Sequence, residues 1–303
     1  MSTCITPIYV KNKNYGLKPG EYKYLSVPCG RCEFCLSNKR KQWFFRISAE
    51  VAVSTSAYFI TLTYNDESVP ARVNKRDVQL FIKRFRKSLQ SQLGSLQGTS
   101  FESSGRRQIR RIPEEARPLK YFLVAEYGGN TLRPHYHLIL FNYPFSRSDL
   151  VHDLKHAWPY CDQLMFDYPQ AVANVEPASI NYVCKYCLST LYNEDPDKKT
   201  FMLCSKNLGR DYLTPAMVSY LRNQCEGIGM VNGVRYSLPR YYSDIVFTDA
   251  EKQVINQKKQ SFHEACMDRY YKDHDNPLRS HPHNLWLKER EQQKQHIRKR
   301  LKN

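Results

Sequence analysis

Two apolar segments that flank a glycine-containing turn constrain the fold of this chain more than any other feature. The first segment is LKYFLVAEYGG, residues 119–129, and the second is RPHYHLILFNYPF, residues 133–145. Both are rich in the β-branched and aromatic residues that strands favour, and the connection Gly128-Gly129-Asn130-Thr131 is typical of a tight turn. The sequence therefore predicts a β-hairpin and, with it, an antiparallel sheet.

Other segments predict a further strand and several helices. The strand is AYFITLTYN, residues 57–65, while residues 91–117 lack periodicity and predict a mobile loop. Apolar residues recur with helical spacing in residues 37–54, with Ser37 or Asn38 as the cap, in residues 75–89, in about 147–158, and in a segment that opens at residue 177 with Ser179 as its cap. These elements predict an α+β fold with a central antiparallel sheet and flanking helices.

Net charge limits the class of partner. The 303 residues include 46 Lys and Arg against 29 Asp and Glu, a formal charge of +17. Residues 71–120 alone hold thirteen basic and four acidic residues, and the last twenty residues read as a basic helical tail. Such an excess favours polyanions, either nucleic acid or an anionic membrane surface. Since no segment approaches the ~20 apolar residues of a membrane span and no signal peptide is recognisable, we expect a soluble, non-exported protein.

The motif His135-Tyr136-His137 predicts a metal site. Residues two apart in a strand point to the same face of the sheet, so the two imidazoles face one way. Glu126 lies nine residues before the first histidine, across the hairpin turn, where its carboxylate would oppose the pair. Two histidines and a carboxylate with open coordination positions suit Mg²⁺ or Mn²⁺ bound to a phosphate.

A second set of candidate residues is Tyr182, Lys185 and Tyr186. On a helix the two tyrosines, four residues apart, lie on one face, and the lysine is close to that face. A phenol, with a pKa near ~10, is a poor nucleophile at neutral pH unless a cation or a metal-polarised electrophile assists it. The lysine and the predicted metal site would supply both kinds of help. The alternative is that the tyrosines only pack a helix.

Three of the ten cysteines form two overlapping C-x-x-C units, which suit a soft metal ion. They are Cys29, Cys32 and Cys35. Zinc is favoured over an iron–sulfur cluster because Lys39 stands where a ferredoxin run would have its fourth cysteine. The fourth zinc ligand would come from elsewhere in the fold, from Cys4, Cys161 or Cys204. A tight turn packed by cysteines without metal remains an equal alternative.

Several of these motifs occur in the order found in one known family. F-I-T-L-T-Y at 59–64, E-Y-G at 126–128 with R-P-H-Y-H-L-I-L-F at 133–141, and Y-V-C-K-Y at 182–186 resemble the three motifs of HUH rolling-circle replication initiators. P-C-G-R-C-E-F-C at 28–35, D-V-Q-L-F-I-K-R-F-R-K at 77–87, V-E-P-A-S at 175–179 and L-P-R-Y-Y at 238–242 are similar to the gokushovirus branch of the Microviridae. The resemblance covers roughly residues 28–243.

This resemblance implies a phage DNA replication initiator with an RRM-like endonuclease domain. Such an enzyme nicks the origin strand through a 5′-phosphotyrosine and later joins the strand ends. His135, His137 and Glu126 would hold Mg²⁺ or Mn²⁺, and Tyr182 or Tyr186 would attack the phosphodiester. The implied partners are origin DNA, single-stranded or in the supercoiled replicative form, and a host helicase and polymerase in the bacterial cytoplasm, with no membrane.

The resemblance also implies domain limits. Residues 1–50 would form a cysteine-cluster segment and helix, residues 51–245 the endonuclease domain, and residues 246–303 a polar and basic extension.

One departure from the family pattern affects the choice of nucleophile. Two-tyrosine relatives read Y-x-x-x-Y-x-x-K, and Ser189 stands at the last position here, whereas Lys185 satisfies the single-tyrosine pattern Y-x-x-K. Tyr182 is therefore the first choice, and a second catalytic role for Tyr186 stays open. The competing function is a non-catalytic basic protein that binds single-stranded DNA or packages the genome. It explains the charge but gives no reason for a histidine pair that faces a glutamate.

Overall fold

The structure is a computed structural model that describes residues 8–11, 23–97, 117–129, 131–186 and 199–258. Its contacts divide the chain into two compact units, one of Met1–Phe45 with Leu213–Asn303 and one of Arg46–Tyr212. The domain limits inferred above, near residues 50 and 245, stay predictions. The basic tail at 284–303 lies outside the described residues.

The described strands and helices are numbered in chain order. The strands are β1 Ile8–Lys11, β2 Tyr24–Val27, β3 Ala57–Leu62, β4 Lys120–Tyr127, β5 Pro134–Phe141, β6 Val172–Asn174, β7 Met202–Cys204, β8 Ile228–Val231 and β9 Val234–Ser237. The α-helices are α1 Glu33–Val53, α2 Lys75–Gln97, α3 Arg147–Ala157, α4 Pro177–Tyr186, α5 Pro215–Gln224 and α6 Arg240–Val246, with residues 249–258 also helical. Short 3₁₀ turns occupy Gln163–Asp167 and Arg210–Tyr212.

A five-stranded antiparallel sheet forms the centre of the unit Arg46–Tyr212. Its strand order is β6-β3-β5-β4-β7. The predicted hairpin is present: β4 pairs with β5, and the turn closes with the N–H of Gly128 donating to the Arg133 carbonyl at 3.0 Å. The predicted α+β fold with a central antiparallel sheet is confirmed.

One face of this sheet carries the hydrophobic core. In β3, Tyr58, Ile60 and Leu62 are buried while the residues between them are half-buried, as strand alternation requires. The helices α2 and α3 cover this face with apolar side chains, namely Val78, Phe81, Phe85 and Leu89 from α2 and Leu150 and Leu154 from α3. Because the core occupies this face, polar residues of β4 and β5 are directed to the opposite face.

The other unit contains two small antiparallel sheets, β1-β2 and β8-β9. Phe45 is fully buried there and its ring lies 5.6 Å from that of Tyr242. A Cβ added to Gly229 would come within 2.8 Å of the Phe45 ring, so only glycine allows this close approach.

Three helix boundaries differ from the sequence prediction. α1 begins at Glu33, so Ser37 and Asn38 lie inside the helix and the prediction of a cap there is wrong. α4 begins at Pro177, and the Ile180 N–H donates to the carbonyl of residue 176 at 3.1 Å, which places Ser179 inside the first turn rather than at the cap. The predicted loop at 91–117 is wrong for residues 91–97.

These seven residues continue α2 because they have partners in the fold. The Gln92 side chain donates to both carboxylate oxygens of Asp153, at 3.0 and 3.2 Å, and Leu93 packs against the core. Residues 98–116 lie outside the described part of the chain. Among the residues that are described, no helix combines the length and the apolar character needed to span a membrane.

Candidate active site

Strand pairing brings Glu126, His135 and His137 together on the face of the sheet opposite the α2–α3 core. Glu126 near the end of β4 is paired directly with His135 near the start of β5, and His137 follows two residues later. One potential ligand atom from each side chain lies within 4.8 Å of the others. We call this group the histidine–glutamate site.

The distances within the histidine–glutamate site suit a divalent cation. Oε2 of Glu126 lies 3.2 Å from Nε2 of His135 and 3.0 Å from Nε2 of His137. Two ligands at right angles around a cation, each ~2.1 Å from it, are ~3.0 Å apart. The three side chains are 6–18% exposed, so they are largely shielded yet open on one side.

The outer nitrogen of each imidazole has its own partner. Nδ1 of His135 lies 3.3 Å from the carbonyl oxygen of Arg133, and Nδ1 of His137 lies 3.3 Å from Oγ1 of Thr61. A carbonyl only accepts hydrogen bonds, so Nδ1 of His135 carries the hydrogen and its Nε2 presents a lone pair. The Thr61 hydroxyl can accept in the same way for His137, which is how outer partners orient metal-binding histidines.

The protonation states agree with metal binding. Burial on its own would raise the pKa of Glu126, but its hydrogen bonds to His135 and His137 outweigh burial and leave the pKa below its usual value. Burial lowers the pKa of His137, even though the contact with Glu126 opposes this. An ionised carboxylate and a neutral imidazole are the forms that bind metals. Three lone pairs that converge in this way need a cation between them, which fits the donor set to a metal ion.

An aromatic wall stands beside the histidine–glutamate site. The ring of Phe59 stacks on that of His137, with the ring centres 5.5 Å apart and the planes 17° apart. The ring of Tyr182, carried by α4, meets His137 edge-on at 5.0 Å and lies 6.1 Å from Phe59. Tyr182 is nevertheless 42% exposed. The structure therefore puts an accessible phenol next to the predicted metal ligands.

The other two candidates on α4 are less fully described. Lys185 is half-buried and follows Tyr182 by three residues on the helix. For Tyr186 only the helical backbone is described, and Ser189 lies outside the described residues. The structure thus brings one of the two predicted tyrosines to the histidine–glutamate site and leaves the position of the other side chain open.

Sequence reasoning missed three residues that contact this site. Phe59 and Thr61 share one face of β3, and the register pairs Thr61 with His137. The alternation within β3 could have shown that both face the same way, but only the register shows that they face His137. Arg133 contributes its carbonyl, and its side chain forms an ion pair with Asp66 and donates to the Tyr64 carbonyl at 3.0 Å.

The cysteine cluster is also present. Sulfur atoms of Cys29, Cys32 and Cys35 lie within 4.8 Å of one another, and within the described residues this group holds these three cysteines alone. Cys161, one of the fourth ligands considered above, is buried, donates to the Trp158 carbonyl, and has its pKa raised by burial to about 11. Cys204 lies in β7, and Cys4 is outside the described residues.

Comparison with known proteins points to one class. Residues 57–191 match the model of a family of replication-associated proteins, described by its member ORF2. This segment contains Glu126, His135, His137 and Tyr182. The resemblance to phage replication initiators, predicted from the ordered motifs, is confirmed: the chain is a relative of phage replication-associated proteins.

Three such relatives are similar over most of this chain. The replication-associated protein VP4 of Bdellovibrio phage phiMH2K is 26% identical over 235 residues, covering 74% of this chain and 68% of its own length. ORF2 of Spiroplasma virus 4 is 25% identical over 274 residues, covering 88% and 73%. ORF4 of Chlamydia phage 1 is 24% identical over 242 residues, covering 73% and 53%.

A solved structure gives a weaker likeness. It is the N-terminal nuclease domain of non-structural protein 1 of minute virus of mice, which is 11% identical. The match covers 59% of this chain and 81% of that domain with a TM-score of 0.19, a value at which nothing is inferred from it.

Proposed function

We propose that this protein initiates rolling-circle replication of a phage genome by nicking the origin strand with Tyr182. One observation carries the proposal: an accessible phenol ring lies 5.0 Å from the ring of His137, beside three converging metal-ligand atoms. The similarity to phage replication-associated proteins supports the same reaction. A protein that only coats DNA has no use for this arrangement.

In this proposal Glu126, His135 and His137 hold Mg²⁺ or Mn²⁺. The bound cation would polarise the scissile phosphodiester and stabilise the negative charge that develops on its oxygens. Thr61 and the Arg133 carbonyl keep the two imidazoles turned so that their Nε2 atoms face Glu126. Phe59 closes one side of His137 and so limits the access of water to that imidazole.

The proposed chemical step is a transesterification. The phenol oxygen of Tyr182 forms a bond to phosphorus as its proton leaves, and the bond from phosphorus to the 3′ oxygen breaks. The departing 3′ oxygen takes up a proton, which leaves a free 3′-OH and a 5′-phosphotyrosine. Lys185, three residues further along α4, would stabilise the negative charge on the phenol oxygen or the phosphate.

The same intermediate explains strand joining. The phosphotyrosine bond keeps the energy of the phosphodiester, so attack by a 3′-OH restores the DNA strand without ATP. The free 3′-OH from the first cut would prime a host polymerase, and a host helicase would open the duplex. A second cut needs a second nucleophile or a second use of the first, and Tyr186 is the proposed candidate for that role.

A plasmid assay tests the proposal. Supercoiled plasmid with the cognate origin is incubated with the full chain and Mn²⁺ or Mg²⁺, and we expect metal-dependent relaxation with protein attached to a 5′ end. Tyr182→Phe should abolish both, whereas Tyr168→Phe, which changes a tyrosine that is 62% exposed, should have no effect. Salt-sensitive binding without nicking would instead favour the DNA-binding or packaging role.

A further inference from the structure

The turn that precedes α1 gathers three thiols in seven residues, and we call residues 29–35 the cysteine turn. Sγ of Cys29 lies 4.0 Å from Sγ of Cys35, and the sulfur of Cys32 is within 4.8 Å of both. Thiolates around a tetrahedral zinc ion, each ~2.3 Å from the metal, are ~3.8 Å apart. The three sulfur atoms are therefore close to the spacing that a single zinc ion requires.

The backbone of the cysteine turn is arranged around one of these sulfur atoms. Backbone N–H groups of Arg31 and Cys32 donate to Sγ of Cys29, at 3.4 and 3.3 Å. Gly30 has a φ of +75°, which allows the chain to curl around the sulfur, and a Cβ at this position would meet no atom within 4 Å. The glycine is thus required by backbone conformation and not by space. Hydrogen bonds donated to sulfur stabilise the thiolate, which is the form that binds metals.

The helix that follows adds a second source of stabilisation. The Cys32 carbonyl accepts from the Leu36 N–H at 3.0 Å, so α1 begins immediately after Cys32, and Cys35 lies in its first turn. The positive end of a helix dipole favours negative charge, including thiolates, near this point. All three cysteines are half-buried, which shields the sulfur atoms while leaving a path for an ion.

We propose that Cys29, Cys32 and Cys35 bind one Zn²⁺ ion as thiolates, with the fourth position left to water or another ligand. The ion would join the turn to the first turn of α1 and so fix where the helix starts. The inference goes beyond the proposed nicking activity and does not depend on it, since it uses a different set of ligands with different chemistry.

Metal analysis of the full chain tests the proposal. The protein carries Glu126→Ala and His137→Ala, so that zinc at the histidine–glutamate site does not enter the count. We expect about one zinc ion per chain after desalting, and a tenth of that or less when Cys32→Ser is added. Cys225→Ser, which alters another half-buried cysteine, should keep the zinc. Zinc content that is unchanged by Cys32→Ser, or absent from the parent protein, would overturn the proposal.

Two measurements on the chain with its cysteines intact keep the test valid if a cysteine variant fails to fold. Replacing zinc by Co²⁺ should give near-ultraviolet thiolate-to-cobalt charge-transfer bands and the visible spectrum of a tetrahedral ion. Alkylation followed by mass spectrometry should find the three thiols protected with zinc and reactive after chelation. Bound iron with a brown cluster spectrum, a disulfide between two of the three cysteines, or equal reactivity with and without zinc would each contradict a zinc site.

Discussion

The histidine–glutamate site and the cysteine turn both gather three side chains that can bind a metal, yet the chain builds them differently. The first depends on pairing between strands: Glu126 and His135 meet only in the β4–β5 register, and Thr61 reaches His137 from a strand 76 residues away. The second is local, because its three cysteines and their N–H donors all lie within residues 29–35.

This difference teaches what each site needs from the fold. The histidine–glutamate site requires an intact sheet, since its ligands and their orienting partners come from three strands. The cysteine turn requires a short loop with one glycine and the start of one helix. Variants can therefore disable one site and spare the other, and the following predictions use that separation.

The largest effect is expected from Glu126→Ala. Loss of the only carboxylate among the three ligands should reduce the nicking rate by about 10²–10³-fold or more, since a catalytic cation contributes several kcal/mol to transition-state stabilisation. Plasmid relaxation at fixed Mn²⁺ measures this, with exposed Glu67→Ala as the control. DNA binding and zinc content should not change. Normal nicking by Glu126→Ala would exclude this carboxylate from catalysis.

Lys120→Ala tests the dependence on the sheet. The Lys120 ammonium donates to the fully buried carboxylate of Glu50 at 3.0 Å, and the Gly209 N–H donates to the same oxygen at 2.6 Å. Removing the lysine leaves a buried charge without its main partner, which should lower the free energy of unfolding by about 3–5 kcal/mol. Urea unfolding followed by circular dichroism measures the change.

Two controls sharpen that experiment. Lys83→Ala removes an exposed lysine from α2 and should change the unfolding free energy by about 0.5 kcal/mol or less. Lys120→Met with Glu50→Leu removes both charges and should be less destabilised than Lys120→Ala alone. Zinc at the cysteine turn should be retained in all of these proteins. Equal stability of Lys120→Ala and Lys83→Ala would show that the buried pair contributes little.

Thr61→Val should weaken metal binding without removing a ligand. The valine cannot accept from Nδ1 of His137, so the imidazole loses its orienting partner, and loss of such partners reduces metal affinity by about 10–100-fold. Calorimetric titration with Mn²⁺ measures the affinity. Thr61→Ser keeps the hydroxyl and should bind Mn²⁺ as the wild type does. If the serine and valine variants bind equally, the hydroxyl does not position His137.

The smallest effect is expected from Gly30→Ala in the cysteine turn. An alanine at a φ of +75° costs about 1 kcal/mol, which corresponds to roughly fivefold weaker zinc binding. Competition with a zinc-sensitive dye measures the affinity. Gly129→Ala, in the β4–β5 turn, has space for a Cβ and no positive φ, so it should leave zinc binding unchanged. Identical zinc affinities would mean that the conformation at Gly30 does not support the site.

The part of the active site that lies close together in sequence could be predicted. Strand alternation put the two histidines on one face, and a short turn put Glu126 opposite them. Phe59 and Thr61 could not be found in this way, because the pairing of β3 with β5 depends on packing over the whole sheet. Tyr182 was named from its motif, but its contact with His137 depends on how α4 lies against β4.

Helix ends were harder to predict than helices. Ser37 looks like a cap, yet α1 starts at Glu33, where the carbonyl of Cys32 takes the first helical hydrogen bond. Charge was also ambiguous: Arg84 of the basic helix α2 donates to the Ala157 carbonyl at 3.0 Å, and Arg86 lies 5.6 Å from the Tyr121 ring centre. Part of the basic excess thus serves packing within the protein, which composition cannot reveal.

The central claim is that Tyr182, beside the histidine–glutamate site, forms the covalent bond to DNA. The most direct test is to incubate the full chain with a single-stranded origin oligonucleotide and Mn²⁺, digest the adduct and locate the modified residue by mass spectrometry. We predict a 5′-phosphodeoxynucleotide on Tyr182. A nicked product whose nucleotide is attached to another residue, or to none, would contradict the account.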